Sequence, residues 1–568
     1  MAIKTWTGAG ANNNWNTALN WSGGTIPVTA DDIVFNGAFP VTGNKDCTFN
    51  VNISVTSINF TGYTGTFTFF GSLTVTGTIT LGVGTTYATT GVGIIYTLFV
   101  ATTTLISNGK ILPVNLATGL GTFTINGNAD FAGNLTASPS AHTIKAATGT
   151  TVDLRIGGNI NMAAATTNAT DYVIVKGYGT GKTFACNGAG FNARVNFVSG
   201  STYTNTGSTG ISGTSFFTVE PGGQFNAAIG AFNSSVSGTL TLSGFNSSNN
   251  SDFISISGSG TYILLNDTVI KGFINITASV CAISTSVGAK ILLEGNLTSS
   301  GSSTTTIDNL EFSGTTLSTV SATSTTNLQI KNLSFNKTGA GSVNFTSTNF
   351  ILTIPGATTY TWTHTAGTIT QSTNSRIVIA CATVTSQLIY SESIALSTPF
   401  TFSLLVINGG ILSLNSTLRA TRLSLGLSLA STTFTSSGLL GFNVDILNVI
   451  NTAAGSRFIT LKPGCTYTIN NLLYMTATTG STGQITLNSS VASSYAYFNL
   501  DNNASQLVEY VTATDIDSSG TLGVVPYTKQ LIYSFQGVLT PLRTINWSVG
   551  AQPPPILPSR TVAYTFVN

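Results

Sequence analysis

Asp515 and Asp517 are the two carboxylates of this chain best spaced to do chemistry together. Residues i and i+2 of an extended strand share a face, so this pair can converge on one substrate. Glycoside cleavage asks for two such groups about 5–9.5 Å apart, one protonating the leaving oxygen and one attacking or activating water. Other acids fit less well. Asp308 and Glu311 have opposite parity, Asp31 and Asp32 are adjacent and diverge, and a partner for Asp267 would have to come from a different stretch of chain. The plainer role for each is structural, because carboxylates in turns accept backbone N–H groups. For Asp515 and Asp517 that role is expected ahead of Ca²⁺ ligation and ahead of catalysis.

Little else in the sequence is equipped for catalysis. His142 and His364 are the two histidines and are far apart. His364 follows Tyr360 and Trp362 in phase, which predicts a stacked or partly buried ring. No Cys/His group has metal-ligand spacing, and no nucleophile elbow, Walker loop or dinucleotide motif stands between a strand and a helix. No catalytic residue, cofactor or metal is therefore expected. Cys47 is in phase with Phe49, Val51, Ile53 and Val55; Cys186 with Phe184; Cys281 with Ile283; Cys381 with Ile377 and Ile379; Cys465 with Tyr467 and Ile469. All five thiols are expected to face a core as small hydrophobes, and an odd, widely spaced set argues against a disulfide framework.

Charged residues make up 7% of 568 and apolar residues 42%, against about 25% charged in an average soluble domain. Disordered chains have the opposite bias. Net charge is +2 with no Lys/Arg cluster, so a nucleic-acid groove, which needs concentrated cations, is not expected. No charged side chain lies between Asp46 and Lys110. The most apolar piece there, 91–107, is interrupted by Gly and a Thr run, so no membrane span is expected. The opening MAIKTWTGAG has no apolar stretch of the secretory type.

These residues must be positioned by strands. In 71–82 (GSLTVTGTITLG), Leu73, Val75, Ile79 and Leu81 take one face, and Thr74, Thr76, Thr78 and Thr80 the other. Such period-2 segments, parted by Gly, Asn and Ser turns, recur for about 500 residues. The best short helical candidate is 443–454 (NVDILNVINTAA). A single sandwich or barrel of this length would be abnormal, whereas a solenoid needs only neighbouring coils. The fold expected is all-β: a right-handed parallel β-helix (β-solenoid) with irregular three-strand coils, capped at both ends. The segments are a Trp-rich cap and attachment region at 1–45, the solenoid at 46–545, and a Pro-containing tail at 546–568. Coils of ~20–25 residues stacked ~4.8 Å apart would number ~20 and extend on the order of 100 Å. Sequons such as Asn52-Ile-Ser54 are read as Asn stacked in ladders along the turns.

Two terminal runs carry a resemblance. From Thr5 to Gly37 the order W-T-G, W-N, N-W-S-x-G-x-x-P, D-D-x-V-x-F resembles the opening of β-helical surface and virion proteins. It is carried by Trp6, Trp15, Trp21, Pro27, Asp31, Asp32, Val34 and Phe35. From Tyr510 to Ser548, Asp515, Asp517, Ser518, Asn546 and Trp547 resemble the closing turn of phage and bacterial β-helix proteins. The nearer likeness is to bacteriophage tail-fibre, tail-spike or capsid-fibre proteins, since autotransporter-like proteins need an export signal and a translocator. The resemblance implies structural caps built on Trp6, Trp15, Trp21, Asp31, Asp32, Asp515, Asp517 and Trp547. It also implies a non-enzymatic structural component of a phage particle that displays its solenoid for attachment or for binding host-surface glycans. Other virion proteins would join its N-terminal region, a homotrimer is favoured, and the location is the virion, assembled in the host cytoplasm and released by lysis. The alternatives are a bacterial cell-surface adhesin and a glycan depolymerase tailspike.

Overall fold

Alternating apolar and hydroxyl side chains fold into short parallel strands, and the chain is a β-solenoid in the computed structural model. The structure describes residues 2–550, excepting 38–44, 91–93, 95, 138–141, 163–164, 168–172, 186–193, 206–208, 214–215, 221–222, 228–230, 237–238, 243–244, 248–252, 257–260, 265–266, 278–280, 301–303, 323–326, 347–348, 374, 394–395, 397–398, 427–428, 452–454, 478–483, 521–526 and 536–542. Among these residues there is no α-helix; the helical turns are the 3₁₀ pieces Ala18–Asn20 and Ser22–Gly24. The helical candidate at 443–454 is overturned. Phe442–Asn451 is a ten-residue strand, because Val444, Leu447 and Val449 fit inward columns that a helix would scatter. No helix among the described residues is long and apolar enough to cross a membrane, which leaves crossing by strands unaddressed.

Two compact units divide the chain, Met1–Ile291 and Leu292–Asn568. In the first unit most strands pair in parallel with the strand three places on, so a coil usually takes three strands. Like then stacks on like. One inward column runs Ile33, Ile58, Ile79, Leu105, Ile125, Ala146. Another runs Leu73, Leu98, Leu116, Leu135, Ile160, Phe184. The numbering within these columns advances unequally, which is why no fixed repeat stands out in the sequence. Burying each aliphatic side chain contributes about 1.5–3 kcal/mol, and each is covered by its equivalents on the coils before and after.

In the second unit the coil is built differently. Long strands such as Thr304–Phe312, Leu418–Gly426, Phe442–Asn451 and Thr466–Ala477 alternate with shorter ones, and from Arg376 to Ala477 each strand pairs with the one two places along, before three-place pairing returns. Within Thr304–Phe312 the inward pattern slips at Asp308 and Asn309, and pairing to Asn327–Asn336 skips that point. The long strand thus turns a corner and covers two faces. An inward column of the second unit, Phe350, Ile377, Leu405, Leu423, Leu447, Leu473, is again continuous.

Turns need partners for backbone groups that face no strand, and asparagine supplies them. The Oδ1 of Asn115 accepts the N–H of Asn134 at 2.8 Å, Asn134 accepts that of Asn159 at 2.7 Å, and Asn159 accepts that of Thr183 at 2.9 Å. Asn52, from the sequon singled out above, accepts the N–H of Ser72 at 2.7 Å. Coils approach most closely at small residues: a Cβ on Gly71 would stand 1.9 Å from the Val51 carbonyl oxygen, whereas one on Gly119 would meet Val100 O at 3.5 Å. Gly71→Ala is expected to destabilise the protein by about 1–3 kcal/mol through overpacking, and Gly119→Ala by less than about 0.5 kcal/mol. Urea midpoints of the two variants check this; equal losses would contradict the close approach.

Candidate functional site

The N-terminal aromatics form one buried cluster. Trp6, Trp15 and Trp21 are all buried. Trp21 meets Trp6 edge-on at 5.2 Å and Trp15 at 4.5 Å, while Phe35 stacks on Trp6 at 5.7 Å. Such pairs add about 0.5–1.5 kcal/mol beyond burial. Trp21 Nε1 donates to the Trp15 carbonyl at 2.6 Å. Asn20, the first residue of the N-W-S run, ties the loop beneath: its Nδ2 donates to the Asn12 and Asn14 carbonyls and its Oδ1 accepts the Gly10 N–H. Asp31 accepts the N–H groups of Ala2 and Val28, both at 3.0 Å, and the Val28 bond leads the causes that lower its pKa. Asp32 accepts the Ser57 hydroxyl at 2.5 Å. These two acids therefore hold different segments, as their adjacency implies.

At the other end the structure separates the pair that parity brings together. Asp515 has φ +59°, a left-handed conformation that breaks strand alternation. Its carboxylate engages the Arg543 guanidinium through both Nε and Nη2, the latter at 2.9 Å, and accepts the Ser493 N–H at 3.2 Å. Asp517 is fully buried and accepts the N–H and hydroxyl of Ser519 at 2.8 and 2.6 Å. Each carboxylate is thus held by its own partners, and the convergence that parity would allow is not what these contacts show. Asn546 joins the two halves of the terminal motif, its Nδ2 lying 2.8 Å from the Ser518 carbonyl and 2.8 Å from that of Lys529. Trp547 packs against Phe498 with ring centroids 6.2 Å apart. Arg543 carries no local sequence signal; its role depends on the coil that brings it to Asp515.

Two of the other acids weighed above hold structural contacts. Asp267 accepts the Lys290 N–H at 3.0 Å, and Glu311 accepts the Asn336 Nδ2 at 3.0 Å. Asp308 stands at the corner of its long strand. Among the described residues no three His, Cys, Asp or Glu side chains are grouped to hold a metal ion.

A buried charged cluster in the second unit has no counterpart in the sequence reading beyond His364 itself. One inward column runs Phe312, Phe335, His364, Glu392; the first two rings stack at 5.6 Å and the imidazole continues the column. His364 Nε2 is 3.0 Å from the Gly367 carbonyl and Nδ1 is 3.3 Å from Glu392 Oε1. Glu392 also accepts the Phe400 N–H at 2.8 Å and Arg419 Nη1 at 3.2 Å. Both ring nitrogens thus face acceptors. Nearby, Lys337 is buried, its Nζ donating to the Glu294 carbonyl at 2.8 Å; desolvation lowers its pKa to about 8. His142 opens the strand His142–Ala146, and its side chain lies outside the described residues.

Cys47, Cys281, Cys381 and Cys465 are buried reduced thiols; Cys186 lies outside the described residues. Burial pushes the Cys381 thiol up to about 11 and the Cys47 thiol well above its usual range, with Asp46 adding to the latter. The thiolate is the reactive form, so these groups are inert packing atoms at neutral pH. No protein-family model, no curated protein and no solved structure matches this chain.

Three outcomes follow from these environments. Thiol reagent added to native protein should label slowly, and denaturant should expose five thiols; fast native labelling would contradict the packing. Glu392→Ala should lose about 3–5 kcal/mol in urea unfolding, towards the lower figure because Arg419 reaches solvent. Lys337 binds fewer protons folded than unfolded between pH 8 and 10.5, so its contribution to stability rises with pH across that window. The stability difference between the parent and Lys337→Met should shift in the parent's favour from pH 7 to pH 10, and a constant difference would refute the lowered pKa.

Proposed function

We propose that this chain is a non-enzymatic structural component of a bacteriophage particle, a fibre or spike whose solenoid flank is displayed to host-surface glycans. The observation that carries this reading is the chemistry of the outward columns. Ser54, Thr74, Phe99, Ala117, Thr136 and Asn161 form one such column, and it bears hydroxyls, an amide and an aromatic ring but no charge. Such a surface suits wet, weak contacts to sugars, with repetition supplying avidity, and it does not attract polyanions. A β-solenoid is compatible with a fibre, a spike or an adhesin, and fold alone does not choose between them. The terminal motifs favour the virion.

Catalysis is not part of the proposal, because Asp515 and Asp517 are committed to Arg543 and Ser519. Joining to other virion proteins is assigned to the N-terminal region beside the Trp cluster, and the assembled form to a homotrimer, which multiplies receptor contacts. Phage particles made with and without the gene product, imaged and tested for host adherence, decide the matter. Loss of a projecting element together with weakened adherence is expected. Particles of unchanged outline would remove the structural role, and purified protein that shortens host polysaccharide would overturn the non-enzymatic one.

A further inference from the structure

A shallow groove of about 460 Å³ opens on the outer face of the first unit, lined by Asn52, Ile53, Ser54, Ser72, Thr74 and Phe99. Register sets Ser54 beside Thr74 and Thr74 beside Phe99, so the three side chains stand on successive coils roughly 4.8 Å apart. Phe99 is 44% exposed although its neighbours Leu98 and Val100 are buried. A phenyl ring directed at water from a strand that buries both its neighbours contributes little to the core. Just beyond the groove Phe70, 52% exposed, meets Tyr96 edge-on at 5.9 Å.

The polar lining is partly fixed and partly available. Asn52 Oδ1 accepts the Ser72 N–H at 2.7 Å, which orients the amide, and Ser72 Oγ accepts the Thr97 N–H at 3.2 Å. Among the described residues, Asn52 Nδ2 and the hydroxyls of Ser54 and Thr74 have no protein partner. Every lining residue falls within the stretch between Asp46 and Lys110 that carries no ionisable acid or base of the Asp, Glu, Lys or Arg type. An anionic ligand would find no countercharge here, and an apolar one would leave the amide and two hydroxyls without partners.

We infer that this groove is a subsite for an uncharged hexopyranose unit of a glycan, with Phe99 as the stacking wall and Asn52, Ser54 and Thr74 as the hydrogen-bonding floor. The C–H face of a pyranose ring packs on an aromatic face while its hydroxyls reach the amide and hydroxyl groups alongside. The inference rests on the glycan-display reading above and adds to it a place and a ligand class.

Isothermal titration of the purified full chain with maltoheptaose, mannohexaose and laminarihexaose tests it. The variants are Phe99→Ala, Thr74→Lys and, as a control, Phe458→Ala, whose ring is 43% exposed in the second unit. At least one of the three sugars is expected to bind. Phe99→Ala and Thr74→Lys should each weaken that binding at least tenfold with an unchanged circular dichroism spectrum, and Phe458→Ala should leave it within twofold. Equal binding by Phe99→Ala and parent, or no binding of any of the three sugars, overturns the subsite. The two readings fail separately: a sugar bound equally by Phe99→Ala and parent removes this groove but leaves glycan display intact, whereas a parent protein that does not adhere to host cells removes display itself.

Discussion

Parallel pairing of each coil with the next, in register, is the constraint from which the other features of the chain follow. A strand in such a stack satisfies its backbone only through its neighbours above and below. Side chains of equivalent position are then held one strand spacing apart along the whole column. Inward columns become ladders of Ile and Leu. Outward columns become ladders of Thr, Ser and Asn, because like charges at that spacing repel. Where charge does enter, a counter-charge accompanies it: Arg155 and Lys176 are neighbours in one column, and each is bridged to an acid, Arg155 to Asp130 at 3.3 Å and Lys176 to Asp153 at 2.7 Å. The sparse charge of the sequence is a consequence of stacking.

The same constraint explains the exceptions. Corners cannot pair as strands do, so amides take over, as in the Asn115, Asn134 and Asn159 series. Gly177 interrupts an inward column, and the Tyr203 ring fills the place its side chain would have taken. The Tyr203 hydroxyl lies near the Ile156 and Gly158 carbonyls, at 3.1 and 3.0 Å. The Glu392 column position is a costly departure, because a carboxylate buried beside aromatic rings needs His364, Arg419 and the Phe400 N–H around it.

Fold class was legible because a solenoid writes itself locally. Leu73, Val75 and Ile79 declare their face by alternation alone, and a core assembled from neighbouring coils demands no long-range pairing that sequence must reveal. The buried side of Cys47, Cys281, Cys381 and Cys465 followed from the same parity. Parity failed where the backbone leaves the strand. Asp515 sits at φ +59°, so the rule that aligned it with Asp517 did not apply. The segment 443–454 looked helical because a long strand that turns a corner shifts its inward phase, as Asp445 and Ile446 do within Phe442–Asn451. Arg543, Glu392 and Arg419 were invisible for a different reason: their partners lie a coil or more away, and coil length varies, so no fixed spacing points from one to the other.

Stacking in this register is the claim that everything else depends upon, and a cross-link tests it most directly. Ala117, Thr136 and Asn161 occupy one outward column on three successive coils. Adjacent positions stand ~4.8 Å apart, within the span a disulfide bridges, and alternate positions do not. Mild oxidation of the Ala117→Cys, Thr136→Cys double variant should give a disulfide in high yield, and the Ala117→Cys, Asn161→Cys variant should remain reduced. Cross-linking of the second pair, or failure of the first, would contradict the solenoid register.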